Sequence, residues 1–338
     1  MILKTDRGDA GRRIDLVLRR HLAGVDVATR TRIQDWIEAG HVSVNGAAVR
    51  RVSTRTAVGD VIAVALPPEA ARRPMEVEQV LLHILHEDDH LLAVDKPSGI
   101  VSHPTHAHTS GTLMNALLWH ARRWPAGQRP SLVGRLDKLT SGIVLVAKTP
   151  AIHAALQRGK IEKDYLALVY GRSIPARGAI DLRLARDGSD RRRVAASESV
   201  GAPSVTRFER LARVPAPHVG LGLLRCRLVT GRTHQIRVHL AARGWPIVGD
   251  PVYGEPLWAQ VANRLLREAL ASFPRQALHA WRLGMRHPMT GTRLEIAAPI
   301  PEDLQGLLST AGLDDRRSKR SGSQKVENQS LRIPHSCP

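Results

Sequence analysis

Between residues 134 and 142 the chain reads Gly-Arg-Leu-Asp-Lys-Leu-Thr-Ser-Gly. A single carboxylate, Asp137, stands between Arg135 and Lys138, and an apolar run follows at 143–147. Neighbouring cations keep such a carboxylate ionised, and a Gly-containing turn fixed to a buried strand leaves it available as a nucleophile or base. The same pattern also suits a structural ion pair. Ser141 beside Gly142 lacks the strand-turn-helix setting of a hydrolase nucleophile. His103, His106 and His108 share a segment with no carboxylate, so no metal is expected there. The two cysteines, Cys226 and Cys337, have no CxxC spacing, which excludes a disulfide framework and a thiolate zinc site.

The supports for these groups can be read along the chain. Apolar residues 14, 17, 18 and 22 fall at helical spacing, and Gly24 follows as a stop. Thr29 or Thr31 can cap a second helix with Ile33, Trp36 and Ile37 on one face, ended by Gly40. Alternating residues 41–44 lead into Asn45-Gly46, a type I′ hairpin signal, and 61–64 form another strand. Residues 1–66 therefore make a small α+β unit with Arg12, Arg13, Arg30 and Arg32 on or near its helices. A Pro-rich and charged linker is expected over 67–78. From 79 to 305, buried strands at 91–94 and 143–147 alternate with helices at 112–122, 150–158 and 233–243. That pattern predicts an α+β domain on a mixed or antiparallel sheet. Residues 306–338 are expected to form a basic, disordered tail.

The 338 residues carry a net charge of +19, which favours a polyanionic partner, nucleic acid ahead of a membrane surface. Residues 1–68 contribute +4, residues 314–338 contribute +3 and the segment between contributes +12, so the larger domain should itself meet the polyanion. No apolar run approaches the ~18–20 residues needed to cross a bilayer, and the N-terminus becomes charged before a signal segment can form. A cytoplasmic protein that contacts no membrane is expected.

Four segments, in order, resemble one family: Asp95-Lys96-Pro97-Ser98-Gly99, the 134–142 loop, Lys163-Asp164-Tyr165-Leu166-Ala167-Leu168-Val169, and Thr230-Gly231-Arg232-Thr233-His234-Gln235-Ile236-Arg237-Val238-His239. The 249–254 stretch Gly-Asp-Pro-Val-Tyr-Gly and Leu278-His279-Ala280 agree with it. The chain is similar to the RluA family of pseudouridine synthases over about 80–300, and residues 12–66 resemble the alpha-L RNA-binding domain.

The resemblance implies an RNA uridine isomerase that needs no cofactor and no metal. It puts the catalytic carboxylate on Asp137, the aromatic that lies against the target base on Tyr165, and the partner of the carboxylate on Arg237. Arg135 is expected to fill the gap left by an extruded base. Arg232, His234 and the four N-terminal arginines are expected to contact RNA, and His234 and His239 to lie on the 233–243 helix as hydrogen-bonded groups or phosphate contacts. Many relatives carry His where this chain has Gly134, so any role of that His is absent here. Large-subunit ribosomal RNA is the favoured substrate and the chain is expected to be a monomer. A tRNA-directed synthase, or a non-catalytic RNA-binding or ribosome-assembly factor keeping the fold, is the alternative.

Overall fold

The computed structural model describes residues 1–22, 28, 30–65, 76–104, 109–190, 193–215 and 219–313. The chain divides into two compact units at residues 75 and 76.

The first unit contains β1 (Ile2–Lys4), α1 (Ile14–His21), α2 (Arg30–Glu38), β2 (Val42–Val44), β3 (Ala47–Val49) and β4 (Val61–Val64). Its antiparallel sheet has the order β1-β4-β2-β3. The helical apolar stripes meet this sheet, burying Ile14, Val17, Leu18, Ile33 and Ile37 with Val42 and Ile62. Positive φ at both Asn45 (51°) and Gly46 (85°) forms the expected tight turn between β2 and β3. Because α2 begins at Arg30, Thr31 lies inside the helix rather than capping it. The other expected cap, Thr29, and the stop at Gly24 lie outside the described residues, as does the linker from 67 to 75. Arg12, Arg13 and Arg30 are exposed and Arg32 is partly exposed; the Arg13 guanidinium pairs with Asp15 at 3.0 Å.

The second unit runs through β5 (His83–Glu87), β6 (Leu91–Lys96), α3 (Leu113–His120), β7 (Ser131–Leu132), β8 (Ser141–Ala147), α4 (Pro150–Arg158), β9 (Ile161–Tyr170), β10 (Arg177–Arg186), β11 (Val194–Ser197), β12 (Ala202–Val214), β13 (Leu221–Leu228), α5 (Gln235–Ala242), α6 (Arg264–Ser272), β14 (Leu278–Arg286), β15 (Arg293–Ala297) and α7 (Glu302–Thr310). Nine strands follow the path β11-β10-β12-β13-β9-β14-β8-β6-β5, with β15 on β14 and β7 on β8. The β14–β8 pair is parallel and the other pairs are antiparallel, so the sheet is mixed and the class α+β. In β6 and β8 alternate residues enter different cores: Leu92, Val94, Val144 and Val146 one, Leu91, Ala93, Ile143 and Leu145 the other. Both faces are covered, which is why these strands are continuously apolar. A Cβ on Gly142 would lie 2.2 Å from the Ala280 carbonyl, so only glycine permits this approach of β8 to β14.

Thr149 caps α4 by accepting from the Ile152 N–H, with Pro150 in the first turn. Two expectations need correction. The expected domain end at 305 falls inside α7, whose Leu307 and Leu308 are buried with Leu313, so packing continues to 313. The expected 233–243 helix starts at Gln235, because His234 adopts a left-handed backbone (φ 55°) that cannot continue it. Residues 314–338 of the expected tail lie outside the described residues. Among those described, no helix is long and apolar enough to cross a membrane.

Candidate active site

The 134–140 loop joins β7 to β8 and is held from behind by the 95–99 segment. Lys96, fully buried, donates from Nζ to the carbonyls of Pro97 (2.7 Å), Ile100 (3.0 Å) and Lys138 (3.3 Å). Burial lowers the Lys96 pKa to about 8 against the pull of Asp137. The Ser98 hydroxyl donates to the Leu139 carbonyl at 2.9 Å, and the Thr140 N–H donates to the Asp137 carbonyl at 3.1 Å, closing the turn. The Ser102 hydroxyl donates to the Leu136 carbonyl at 3.0 Å, so the loop is tied on both sides of its acidic residue.

Asp137 remains 23% exposed, and its Oδ2 accepts from Arg237 Nη1 at 2.9 Å. Among the described residues no hydrogen bond reaches its other oxygen, Oδ1. Arg237 projects from α5, with 4% of its side chain exposed, and donates from Nε and Nη2 to the two oxygens of Asp250 at 2.7 and 2.8 Å. Asp250 also accepts from the backbone N–H groups of Val252 and Tyr253. Burial pushes the Asp250 carboxyl up, but Arg237 and these two N–H groups outweigh it and hold the group below the usual carboxylate range. Arg237 is thus oriented by Asp250 and presents one nitrogen to Asp137.

Tyr165 lies on β9, and its buried ring lines the same cleft of about 470 Å³. Burial raises its phenol well above the ordinary range, with the charge on Asp137 acting the same way, so the hydroxyl stays protonated and keeps a hydrogen to donate. Arg135 is exposed at the cleft and donates to the Thr233 hydroxyl at 2.8 Å. Arg232 is exposed and lines the same cleft. His234 lines the cleft, with Nε2 3.8 Å from Asp137 Oδ2. His239 sits away from it, fully buried, with Nδ1 3.0 Å from the Thr206 hydroxyl.

The second unit therefore brings Asp137, Tyr165, Arg237, Arg135, Arg232 and His234 to one cleft. Arg12, Arg13, Arg30 and Arg32 belong to the other unit. Of the three clustered histidines only His103 lies within the described residues. In the first unit Asp6, Asp9 and His21 lie close enough to share an ion, but Arg20 already pairs with both carboxylates at 3.0 and 2.8 Å.

Sequence reasoning did not single out Asp250, Lys163 or Gln235. Lys163 faces the cleft from β9, donates weakly to the Val133 carbonyl at 3.4 Å, and has its pKa lowered by burial. Gly134 has φ +93°, and a Cβ there would sit 3.1 Å from Lys163 Nζ, so the amine occupies room that a larger side chain would contest. The Gln235 side-chain oxygen accepts from the Thr230 hydroxyl and the Arg232 N–H, and its amide donates to the Val205 carbonyl and Thr206 hydroxyl, fixing the start of α5. The signal for all three was their place inside segments already noted, at 249–254, 163–169 and 230–239.

Comparison with known proteins bears on this arrangement. Residues 90–242 match the RNA pseudouridylate synthase family and residues 12–62 match the S4 domain. The chain is 40% identical over 287 residues to the ribosomal large subunit pseudouridine synthase D of Pseudomonas aeruginosa, covering 83% of this chain and 87% of the relative. It is 38% identical over 315 residues to the enzyme of the same name from Xanthomonas campestris pv. campestris, covering 91% and 92%. The solved structure of human RNA pseudouridylate synthase domain containing 4 shares the fold, with a TM-score of 0.53 at 20% identity over 68% of this chain and 93% of that one.

Proposed function

The chain belongs to the RluA family of RNA pseudouridylate synthases, isomerases acting on RNA, and from this we propose that it converts uridine to pseudouridine in large-subunit ribosomal RNA with Asp137 as the catalytic carboxylate. The observation that carries the reading is the carboxylate itself: Oδ2 is held by Arg237, and Oδ1 is left to the cleft beside the Tyr165 ring. The relatives named above are ribosomal large subunit synthases, and the S4 match supports a large structured RNA as substrate.

The reaction breaks the N1–C1′ bond, turns the uracil and joins C5 to C1′; the proton on C5 leaves and N1 gains one, so the exchange balances without a redox partner. A stacked uridine cannot turn in this way, so it is extruded at a cost of a few kcal/mol. Arg135, exposed at the cleft mouth, enters the vacated space and offsets part of that cost by stacking. Tyr165 gives the extruded uracil a flat face, and its protonated phenol offers a hydrogen bond. Asp137 Oδ1 acts as nucleophile or base next to the sugar, while Arg237 fixes its orientation and charge. Arg232 and the first unit's arginines hold phosphates, and the enzyme works as a cytoplasmic monomer.

Mapping pseudouridine in cellular RNA with and without the protein tests the reading. Loss of one or more positions in large-subunit ribosomal RNA is expected. Loss confined to tRNA would redirect the substrate assignment, and no loss anywhere would leave an RNA-binding factor without activity.

A further inference from the structure

A polar chain that reaches the cleft at His234 has no part in the steps above. It starts at β11, where the Val194 backbone N–H donates to the Tyr253 hydroxyl oxygen at 2.8 Å. The same hydroxyl lies 2.9 Å from His234 Nδ1. The other ring nitrogen, Nε2, faces Asp137 Oδ2 at 3.8 Å.

A phenol has one proton to give. Since its oxygen already accepts from Val194, the arrangement that satisfies every group sends the Tyr253 proton to His234 Nδ1. The alternative, with Nδ1 as donor, leaves the Tyr253 proton without an acceptor among the described residues and turns the Nε2 lone pair towards a carboxylate. We propose that His234 is a positioning residue for Asp137, locked by Tyr253 as the neutral Nε2–H tautomer so that its N–H caps the same oxygen that Arg237 holds.

Two further observations support this. His234 is one of two non-glycine residues with positive φ among those described, a backbone that aims its ring into the cleft rather than along α5. Burial is the largest influence on its pKa and lowers it; Arg237 and Arg135 act the same way, while Asp137 and Asp250 oppose them, so the ring is neutral near pH 7. With Oδ2 capped from two sides, Oδ1 is the oxygen left to react. The 3.8 Å separation exceeds a hydrogen bond, and such contacts in ligand-free sites tighten in the reacting complex. The assignment gives His234 a role in turnover where the sequence suggested a hydrogen-bonded group or a phosphate contact.

The inference rests on Asp137 being the catalytic carboxylate, so Asp137→Asn is the control. If that variant turns over, the functional reading fails; if it is inactive, the arms below judge the inference by itself. His234→Ala and Tyr253→Phe are expected to lower kcat by about tenfold or more with KM for RNA little changed, and His234→Gln, which restores an N–H donor, to recover part of the loss. Variants that raise KM and spare kcat would make His234 a phosphate contact and overturn the proposal. ¹⁵N spectra of histidine-labelled wild-type protein at pH 7 decide independently of any variant's folding, the His234 signals being assigned as those missing from His234→Gln. A protonated Nε2 with a bare Nδ1 is expected, and a mixture of tautomers in Tyr253→Phe. The Nδ1–H tautomer or an imidazolium in the wild type would overturn the tautomer lock.

Discussion

Arg237 reaches Asp137 through a single guanidinium nitrogen, at 2.9 Å, because its Nε and Nη2 are already committed to Asp250 at 2.7 and 2.8 Å. The fork geometry that suits Arg to a bidentate carboxylate is used on the buried acid, and the accessible acid receives what is left. The buried carboxylate thereby orients the guanidinium, and the accessible one keeps an oxygen for the proposed chemistry.

Asp250→Asn is expected to be the more damaging change to the fold. It removes a charge from a fully buried pair and leaves Arg237 with a weaker partner, which costs about 3 kcal/mol. Urea unfolding of Asp250→Asn beside Asp137→Asn checks this; equal stabilities in the two variants would contradict the division drawn above.

Asp137→Asn keeps volume and removes charge at a partly exposed position while Arg237 keeps Asp250. Tritium release from RNA carrying 5-labelled uridine should disappear, and RNA affinity should stay within a few fold. Turnover at even a tenth of the wild-type rate would sink the assignment of Asp137.

Among the described residues Arg135 donates only to Thr233, and it sits exposed at the cleft, able to swing into RNA. Arg135→Lys keeps the charge and loses the planar group. Turnover should fall much more on a structured RNA than on a short flexible strand, where the uridine is already unstacked. Similar losses on both substrates would make Arg135 a phosphate contact.

His279, fully buried in β14 with Nδ1 3.0 Å from the Ser141 hydroxyl, has its pKa pushed by burial from 6.5 down to about 4. Between those values the unfolded chain binds the proton more readily, so stability rises with pH across that window, by on the order of 3 kcal/mol, and is lost on acidification through it. Denaturant unfolding at pH 4.5 and pH 7 should show a larger difference for the wild type than for His279→Gln. An identical pH dependence in both would remove His279 as the cause.

Removing residues 1–75 should leave the second unit folded, because its cores are built from its own side chains. The shortened chain is expected to bind RNA more weakly and with a shallower salt dependence, since fewer phosphate contacts release fewer counterions. An unchanged salt slope measured by titration would exclude the first unit from RNA contact.

Local signals were sufficient for much of this protein. Thr149 and Pro150 set the start of α4, Asn45-Gly46 set the hairpin turn, and the uninterrupted apolar runs of β6 and β8 announced strands covered on both faces. Each depends on residues within one turn or one strand of each other, where backbone sterics and side-chain period decide. The ordered segments also marked Asp137, Tyr165 and Arg237 as one set, although Asp137 and Arg237 lie 100 residues apart. Tertiary structure alone decided that Asp250 orients Arg237, that His234 leaves the helix to face Asp137, and that Lys163 fills the space beside Gly134. These outcomes depend on burial, on which hydrogen-bond partners remain after others are satisfied, and on distances between strands remote in sequence. Residue type and spacing carry none of that information, because a carboxylate reads the same whether it reacts or holds the group beside it.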